Sequence, residues 1–383
     1  MKLVVQVKLQ LTPEQVPALE ATLRACNAAA SDVAVMARET GVYRNYDLRK
    51  KSYQAIKDDY NLGAQAAQHT IKKVADAYTT LKANLRAGRY GAVGSRRRRR
   101  IEAEPVAFRW DAAQPYDARM LSWRHDARTV SIWTVAGRLK GVSYTGSPDQ
   151  LKAVATLPVG ESDLIHRDGM WLLYATVEVA EVEPISPQSF LGVDLGIVQI
   201  ATDSDGTVYA GEQLNRYRRR QVHLRARLQA KATKSARRLL KRRSRKEARH
   251  ASNTNHVISK SIVAEAERTS RGIAVEELTG IRQRVRLRKP QRAALHCWGF
   301  AQLGQFLTYK ARRAGIPLIQ VDPRYTSQTC SKCGHRDKQN RPDQATFICR
   351  SCGVVAHADV NAAVNIAQRG ADGWGAVNRP HAA

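Results

Sequence analysis

Three scarcities in this sequence narrow its reading. It has no uninterrupted apolar run of about eighteen residues, so no bilayer-spanning helix is expected. Cysteine is sparse, six in 383 residues, which excludes a disulfide-stapled scaffold and suits a reducing compartment. Acidic side chains are few: 34 Asp and Glu stand against 63 Lys and Arg, for a net charge of +29. Solubility does not ask for so much charge, and it points to a polyanionic partner, nucleic acid ahead of an acidic membrane surface. Yet no helix-turn-helix or finger array is recognisable, so the charge arrives without a module for reading base edges. The opening stretch Met1-Lys2-Leu3-Val4-Val5-Gln6-Val7 alternates like a strand rather than forming the apolar core of a signal peptide.

Four of the six cysteines form Cys330-Ser-Lys-Cys333-Gly and Cys349-Arg-Ser-Cys352-Gly. Two short pairs separated by roughly fifteen residues bring four thiolates to one tetrahedral centre, the arrangement Zn²⁺ takes in structural sites. Such a site has no open ligand position, so any catalysis must belong to other groups. His357-Ala-Asp359 follows directly. Cys26 and Cys297 are expected to be buried apolar side chains.

The length allows two or three domains. Residues 2–11 read as a strand ending at Thr12-Pro13-Glu14-Gln15, a helix start with Thr as cap and Pro at the first position. Helical spacing continues to about residue 88. Gly88 to Arg100 reads as a mobile linker closing in five consecutive arginines that rest on phosphates. Short alternating segments between residues 106 and 182, Leu151 to Leu157 among them, suggest a small β-barrel or sandwich that the first strand completes. Pro184-Ile-Ser-Pro187 marks a boundary. Beyond it, Leu191-Gly-Val-Asp194-Leu-Gly opens a strand, and Asp205-Gly206 turns a hairpin. Residues 212–270 are helical and so short of acidic i,i+4 partners that like charges repel unless phosphates neutralise them. Arg219, Arg220, Arg237, Arg238, Arg242 and Arg243, with Arg96, Arg97 and Arg98, are therefore expected to contact nucleic acid. Gly272 to Leu278 reads as a strand, and a helix is predicted from about Trp298 to Ala314. The strand Leu318 to Asp322 comes next, then the cysteine pairs and a last helix from about Val360. The tail after Gly370 is expected to be disordered.

Three carboxylates stand at comparable places: Asp194 inside an apolar strand, Glu276 at the end of another, and Asp359 at the start of the last helix. Desolvating such a group is costly unless a cation or hydrogen-bond donors satisfy it. Converging, the three would make a hard-oxygen site suited to Mg²⁺ or Mn²⁺, able to activate water and stabilise the leaving oxygen of a phosphodiester. Each alone is the kind of residue that also caps helices and closes turns. Asp203 and Asp205 are assigned to the hairpin turn, and Glu277 to the solvent side.

The order Leu-Gly-Val-Asp194-Leu-Gly, Ile-Ala-Val-Glu276-Glu-Leu, Tyr325-Thr-Ser-Gln-Thr-Cys-Ser-Lys-Cys-Gly, Cys-Arg-Ser-Cys-Gly and His-Ala-Asp359-Val-Asn-Ala-Ala-Val-Asn-Ile resembles the transposon-encoded TnpB family. The match covers roughly residues 190–367, about half the chain; the N-terminal half is similar only in general layout. The resemblance implies an RNA-guided DNA endonuclease related to compact type V CRISPR effectors. Asp194, Glu276 and Asp359 become the acidic trio of a RuvC-like, RNase H-fold site using Mg²⁺ or Mn²⁺, and Cys330, Cys333, Cys349 and Cys352 become the zinc ligands. His357 stands where many members carry another Asp. Asn361 and Asn365 fall on a family motif and are read as structural helix-start groups.

The implied architecture is multidomain α+β. Residues 1–11 and 101–185 would form a wedge-like β-barrel, 12–100 a helical recognition lobe and basic linker, 186–326 and 354–370 the RuvC-like domain, 327–353 an inserted zinc ribbon, and 371–383 a disordered tail. The implied partners are a guide RNA and double-stranded target DNA in a bacterial or archaeal cytoplasm, near the nucleoid, with no membrane. Tyr53, Lys57 and Lys72 would face a short motif in the duplex. Delegating sequence choice to base pairing would explain bulk charge without a base-reading module. Two alternatives remain open: a nuclease-inactive RNA-guided repressor, which would be expected to lose the trio, and an unguided structure-selective RuvC-like nuclease, which would need neither the N-terminal half nor so much charge. A transposase is disfavoured, because no His-rich pair with a nucleophilic Tyr is seen. One site per chain is compatible with action alone or in pairs.

Overall fold

A computed structural model describes residues 1–278 and 299–377. The fold is multidomain α+β, and the chain divides into two compact units, Met1–Ala180 and Glu181–Ala383. Among the described residues no helix is long and apolar enough to cross a membrane.

The first unit is built on a seven-stranded antiparallel sheet. Its strands are β1 (Lys2–Gln10), β2 (Gln114–Tyr116), β3 (Leu121–Arg124), β4 (Thr129–Thr134), β5 (Gly137–Thr145), β6 (Val159–Arg167) and β7 (Met170–Glu178), in the order β2-β6-β7-β1-β5-β4-β3. Alternation in β1 buries Val5, Val7 and Leu9 on one face. The strand lies at the centre of the sheet, with Val5 opposite Ala175 and Lys8 opposite Thr145. The sheet curls far enough that Tyr116 of one terminal strand donates its hydroxyl to Trp133 O of β4 at 3.1 Å. Helices α1 (Gln15–Thr40), α2 (Asn45–Asp59) and α3 (Ala64–Arg86) put Leu19, Leu23, Val33, Leu48, Ile56, Ile71 and Val74 into the same core as Val7, Ile132 and Leu164. Helices and sheet in this unit thus share one core rather than two. Helix α1 begins later than expected: Thr12 gives no hydroxyl cap, and its N–H instead donates to Gln15 Oε1.

Two further segments differ from the sequence reading. The arginine run is helical, forming α4 (Arg96–Ala103), where Ser95 Oγ accepts from Arg98 N and the pairs Arg98–Glu102 and Arg100–Glu104 offset like-charge repulsion. Leu151 to Leu157, expected as a strand, instead lies mostly in α5 (Pro148–Thr156), because Ser147 and Gln150 form a capping box and Pro148 takes the first helical position.

The second unit holds a five-stranded sheet of β8 (Phe190–Asp194), β9 (Gln199–Asp203), β10 (Val208–Ala210), β11 (Gly272–Glu276) and β12 (Leu318–Val321), in the order β10-β9-β8-β11-β12. The first three are antiparallel, while β8, β11 and β12 run parallel. Helices α6 (Glu212–Lys231), α7 (Lys234–Arg243) and α8 (Lys246–Arg268) connect β10 to β11, and α9 (Phe300–Arg313) precedes β12. Trp298 and Cys297 lie outside the described residues. After β12 come a short ribbon, β13 (Thr346–Ile348) paired with β14 (Val355–His357), and the last helix, α10 (Ala358–Val377).

Helix α10 continues seven residues past Gly370, so the expectation of disorder from residue 371 is corrected as far as Val377. Ala371 and Trp374 pack on the cluster of Phe190, Ala274, Val321 and Ile366, which holds this turn in place. Residues 378–383 lie outside the described range. The helix comes unusually close to β8: a Cβ on Gly192 would stand 1.9 Å from Ala363 O and 2.5 Å from Ala367 N. Only glycine permits that approach.

Candidate active site

Parallel β8 and β11 end at the same edge of the sheet, since Val193 pairs with Val275, and each closes on its carboxylate, Asp194 and Glu276. The strands are apolar because the sheet is covered, so both side chains emerge where the apolar run stops. Seating α10 on β8 brings its first turn, with Asp359, to the same place. Asp194, Glu276, Asp359, Thr326, Arg341 and Gln344 line one polar cavity of about 250 Å³.

The electrostatics of this cavity are acidic. Withdrawal from water, followed by the neighbouring carboxylates of Glu276 and Asp359, pushes the Asp194 carboxyl up to about 8, against a smaller opposing pull from Arg341. Burial also raises Glu276, opposed by a hydrogen bond from Thr326. Thr326 Oγ1 donates to Glu276 Oε1 at 2.6 Å. Arg341 Nη2 donates to Asp359 Oδ1 at 3.1 Å and to Gln344 O at 2.7 Å. Burial with two carboxylates beside it makes the charged form of Asp194 costly without a further cation, and hard oxygen donors of this kind suit Mg²⁺ or Mn²⁺.

The four ribbon cysteines lie with their sulfurs all within 4.8 Å of one another. Cys330 Sγ is 3.7 Å from Cys352 Sγ, and Cys333 Sγ is 3.6 Å from Cys349 Sγ. Ligands about 2.3 Å from a central Zn²⁺ would stand roughly 3.8 Å apart in a tetrahedron, so the spacing fits that ion. The N–H of Cys352 donates to Cys349 Sγ at 3.4 Å and, with further hydrogen bonds from Ser351 and the neighbouring thiols, lowers the Cys349 thiol, while Cys333, sharing protons in the same cluster, is raised. Cys26 is buried, its thiol pushed up by burial to about 11, as suits an apolar filler.

Asn361 and Asn365 face the loop before the ribbon. Asn365 Nδ2 donates to Thr326 O and Thr329 O at 2.8 and 2.7 Å, and Asn361 Nδ2 donates to Thr329 O at 2.8 Å. Asp203 is fully buried and accepts from Asp205 N and Thr207 N, which makes it the turn residue expected. Asp205 pairs with Arg271, and Glu277 is exposed.

The basic candidates divide into two groups. Arg96, Arg97, Arg219, Arg220, Arg237, Arg238 and Arg242 are exposed. Lys72 is bound to Glu161 at 2.9 Å, Arg98 to Glu102 at 2.8 Å, and Arg243 Nη2 donates to Gln221 Oε1 at 3.2 Å, while Tyr53 and Lys57 are half-buried on α2. Thr326 and Arg341 escaped the sequence reading. Arg341 is one of many arginines, and its only distinguishing signal was its position between the two cysteine pairs. Thr326 sits within Tyr325-Thr-Ser-Gln-Thr-Cys, and that motif could have drawn attention to it.

Comparison with known proteins finds two family models on this chain: "Probable transposase" over residues 174–280 and "Cas12f1-like, TNB domain" over residues 300–366. The Cas12f1 endodeoxyribonuclease of Sulfoacidibacillus thermotolerans is 47% identical over 115 residues, 30% of this chain and 26% of that protein. The putative RNA-guided DNA endonuclease InsQ of Escherichia coli is 31% identical over 225 residues, 53% of this chain and 54% of that protein. A TnpB-like protein of Methanocaldococcus jannaschii is 29% identical, over 50% of this chain and 72% of its own length. The chain thus spans about a quarter of the first relative and about half of the second. Among solved structures, the Cas12f1–sgRNA–target DNA complex matches with a TM-score of 0.56 at 15% identity, covering 92% of this chain and 84% of that one, a likeness of fold.

Proposed function

We propose that this relative of TnpB-like and Cas12f proteins is an RNA-guided DNA endonuclease whose second unit is a RuvC-like nuclease domain. The observation that carries the reading is the convergence of Asp194, Glu276 and Asp359 on one cavity beside a four-cysteine ribbon. Those carboxylates would hold divalent ions, which when bound activate water and stabilise the leaving oxygen of a phosphodiester. Asp194 and Glu276 supply their oxygens from rigid strand ends. Asp359 supplies its own from the first turn of α10, where the helix dipole also favours negative charge. Thr326 orients Glu276, and Arg341 offsets charge around Asp359. The ribbon would hold Zn²⁺ as a structural ion.

The rest of the reading concerns partners. A guide RNA and a duplex DNA target account for a net charge of +29 without a base-reading module. Intact acidic positions argue against a purely binding, inactivated form. The relatives named above are prokaryotic, so a cytoplasmic setting in such a cell follows from the same reading.

The test is to express the protein, sequence the RNA that copurifies, and challenge the complex with plasmids carrying the matching target beside randomised flanks. We expect a discrete structured RNA and Mg²⁺-dependent cleavage next to one short motif. Asp194→Ala should abolish cleavage, a loss of at least about 10³-fold, while retaining RNA and DNA binding. Full cleavage by that variant would remove the site assignment; heterogeneous RNA would remove guidance.

A further inference from the structure

We infer that Thr326 is a positioning residue for Glu276, held in place by Asn361 and Asn365 so that the ribbon and the acidic cavity are set by one loop. The inference rests on the reading of Glu276 as a metal-binding carboxylate. Thr326 lies on the segment between β12 and the ribbon and is only 3% exposed. Its hydroxyl has one hydrogen and, among the described residues, two acceptors in reach, Glu276 Oε1 at 2.6 Å and Pro323 O at 3.1 Å. The carboxylate is both the nearer and the charged acceptor, so it takes the proton; charge-assisted O–H···O⁻ bonds of this length are the stronger kind. One oxygen of Glu276 then has a fixed neutral partner, and rotation of the carboxyl group is restrained. Groups that orient a metal ligand in this way contribute to affinity without touching the ion.

The loop itself is held under constraint. Tyr325, immediately before Thr326, has φ of 63°, a left-handed conformation costly for a bulky side chain. It persists because Tyr325 O accepts from Gln328 N, Thr329 N and Thr329 Oγ1 at 3.0, 3.0 and 2.9 Å. From α10, the Asn365 amide donates to the carbonyls at both ends of the Thr326–Thr329 turn, and Asn361 adds a donor to Thr329 O and an acceptor for Ser331 N. The residue after Thr329 is Cys330, a member of the sulfur cluster. Asn361 and Asn365 thus clamp the loop to the same helix that carries Asp359. A hydroxyl on the clamped loop reaches across to the carboxylate at the end of β11.

A residue that only filled space could be replaced by one of similar size. The hydroxyl is isolated by comparing Thr326→Ser with Thr326→Ala, which differ from each other by one oxygen. Mn²⁺ binding to the full-length protein, measured by titration calorimetry, is the readout, with Glu276→Gln as control and retained zinc and unchanged circular dichroism as evidence of folding. We expect the Ser variant to bind Mn²⁺ like the parent and the Ala variant to bind at least about tenfold more weakly. Equal affinities for Ser and Ala, with Glu276→Gln still impaired, would overturn the positioning role and leave the acidic site standing. Undiminished Mn²⁺ binding by Glu276→Gln would overturn the site reading and this inference together. If the Ala variant loses zinc, Thr326→Val supplies the hydroxyl-free comparison without the cavity.

Discussion

At the scale of single residues, Asp194 carries the sharpest consequence. Its carboxyl sits at about 8 in the folded protein against an ordinary value of 3.8. A folded-state pKa above the unfolded one means that the folded state binds the extra proton, so this group's contribution to stability is greatest below about 4 and is lost as pH rises toward 8. Replacing Asp194 with Asn should therefore raise the melting temperature of the zinc-loaded protein, with no Mg²⁺ or Mn²⁺ added, by several degrees at pH 8, with the gain shrinking toward zero at pH 4–5. Scanning calorimetry across that range measures it; no gain at pH 8 would mean that burial and the neighbouring carboxylates do not raise this group as described. Catalytic sites commonly carry such a trade of stability for function. The acidic positions were readable in the sequence because a lone carboxylate stands out in Leu-Gly-Val-Asp194-Leu-Gly. Thr326 was not, since its partner Glu276 lies 50 residues away and nothing local reports that contact.

Among the elements, the seating of α10 on β8 decides whether a site exists at all. Gly192 has no room for a methyl group, with Ala363 O 1.9 Å from where a Cβ would be. Gly192→Ala should lift α10 from the sheet, cost roughly 3 kcal/mol or more in denaturant unfolding, and weaken Mn²⁺ binding through Asp359. A variant as stable as the parent would show that the helix can shift without penalty. The parallel strands were legible as short apolar runs, whereas α5 was not. Leu151 to Leu157 alternates well enough for a strand, and the decisive signal lay upstream in Ser147-Pro148-Asp149-Gln150, where the cap forms. In α4 composition alone reads as a linker, but Glu102 and Glu104 are i,i+4 partners for the arginine run and favour the helix. In both segments the short-range capping and pairing rules outweighed composition.

For the whole molecule, charge is the governing property, and it was visible in composition alone. The exposed arginines of α6 and α7 should each contribute to phosphate binding. Replacing Arg219, Arg220, Arg237, Arg238 and Arg242 together by Gln should weaken RNA binding uniformly across sequences. The plot of log affinity against log salt should also flatten, by about one unit for each phosphate no longer neutralised. An unchanged slope would place the polyanion elsewhere on the surface. What composition could not show is that the N-terminal helices and strands form one core, because residues from Leu19 to Val177 meet only after folding.

The central place of β1 bears on synthesis. Its hydrogen-bonding neighbours are β5 and β7, and the last of these ends at Glu178. About 170 residues must follow β1 out of the ribosome before its second edge is covered, an interval of roughly ten to thirty seconds at ordinary translation rates. During that time an apolar strand with free backbone groups waits among nascent helices. The first unit is thus obliged to fold late in its own translation, and codon-dependent pausing between β6 and β7 would lengthen the period in which it is open to misassembly.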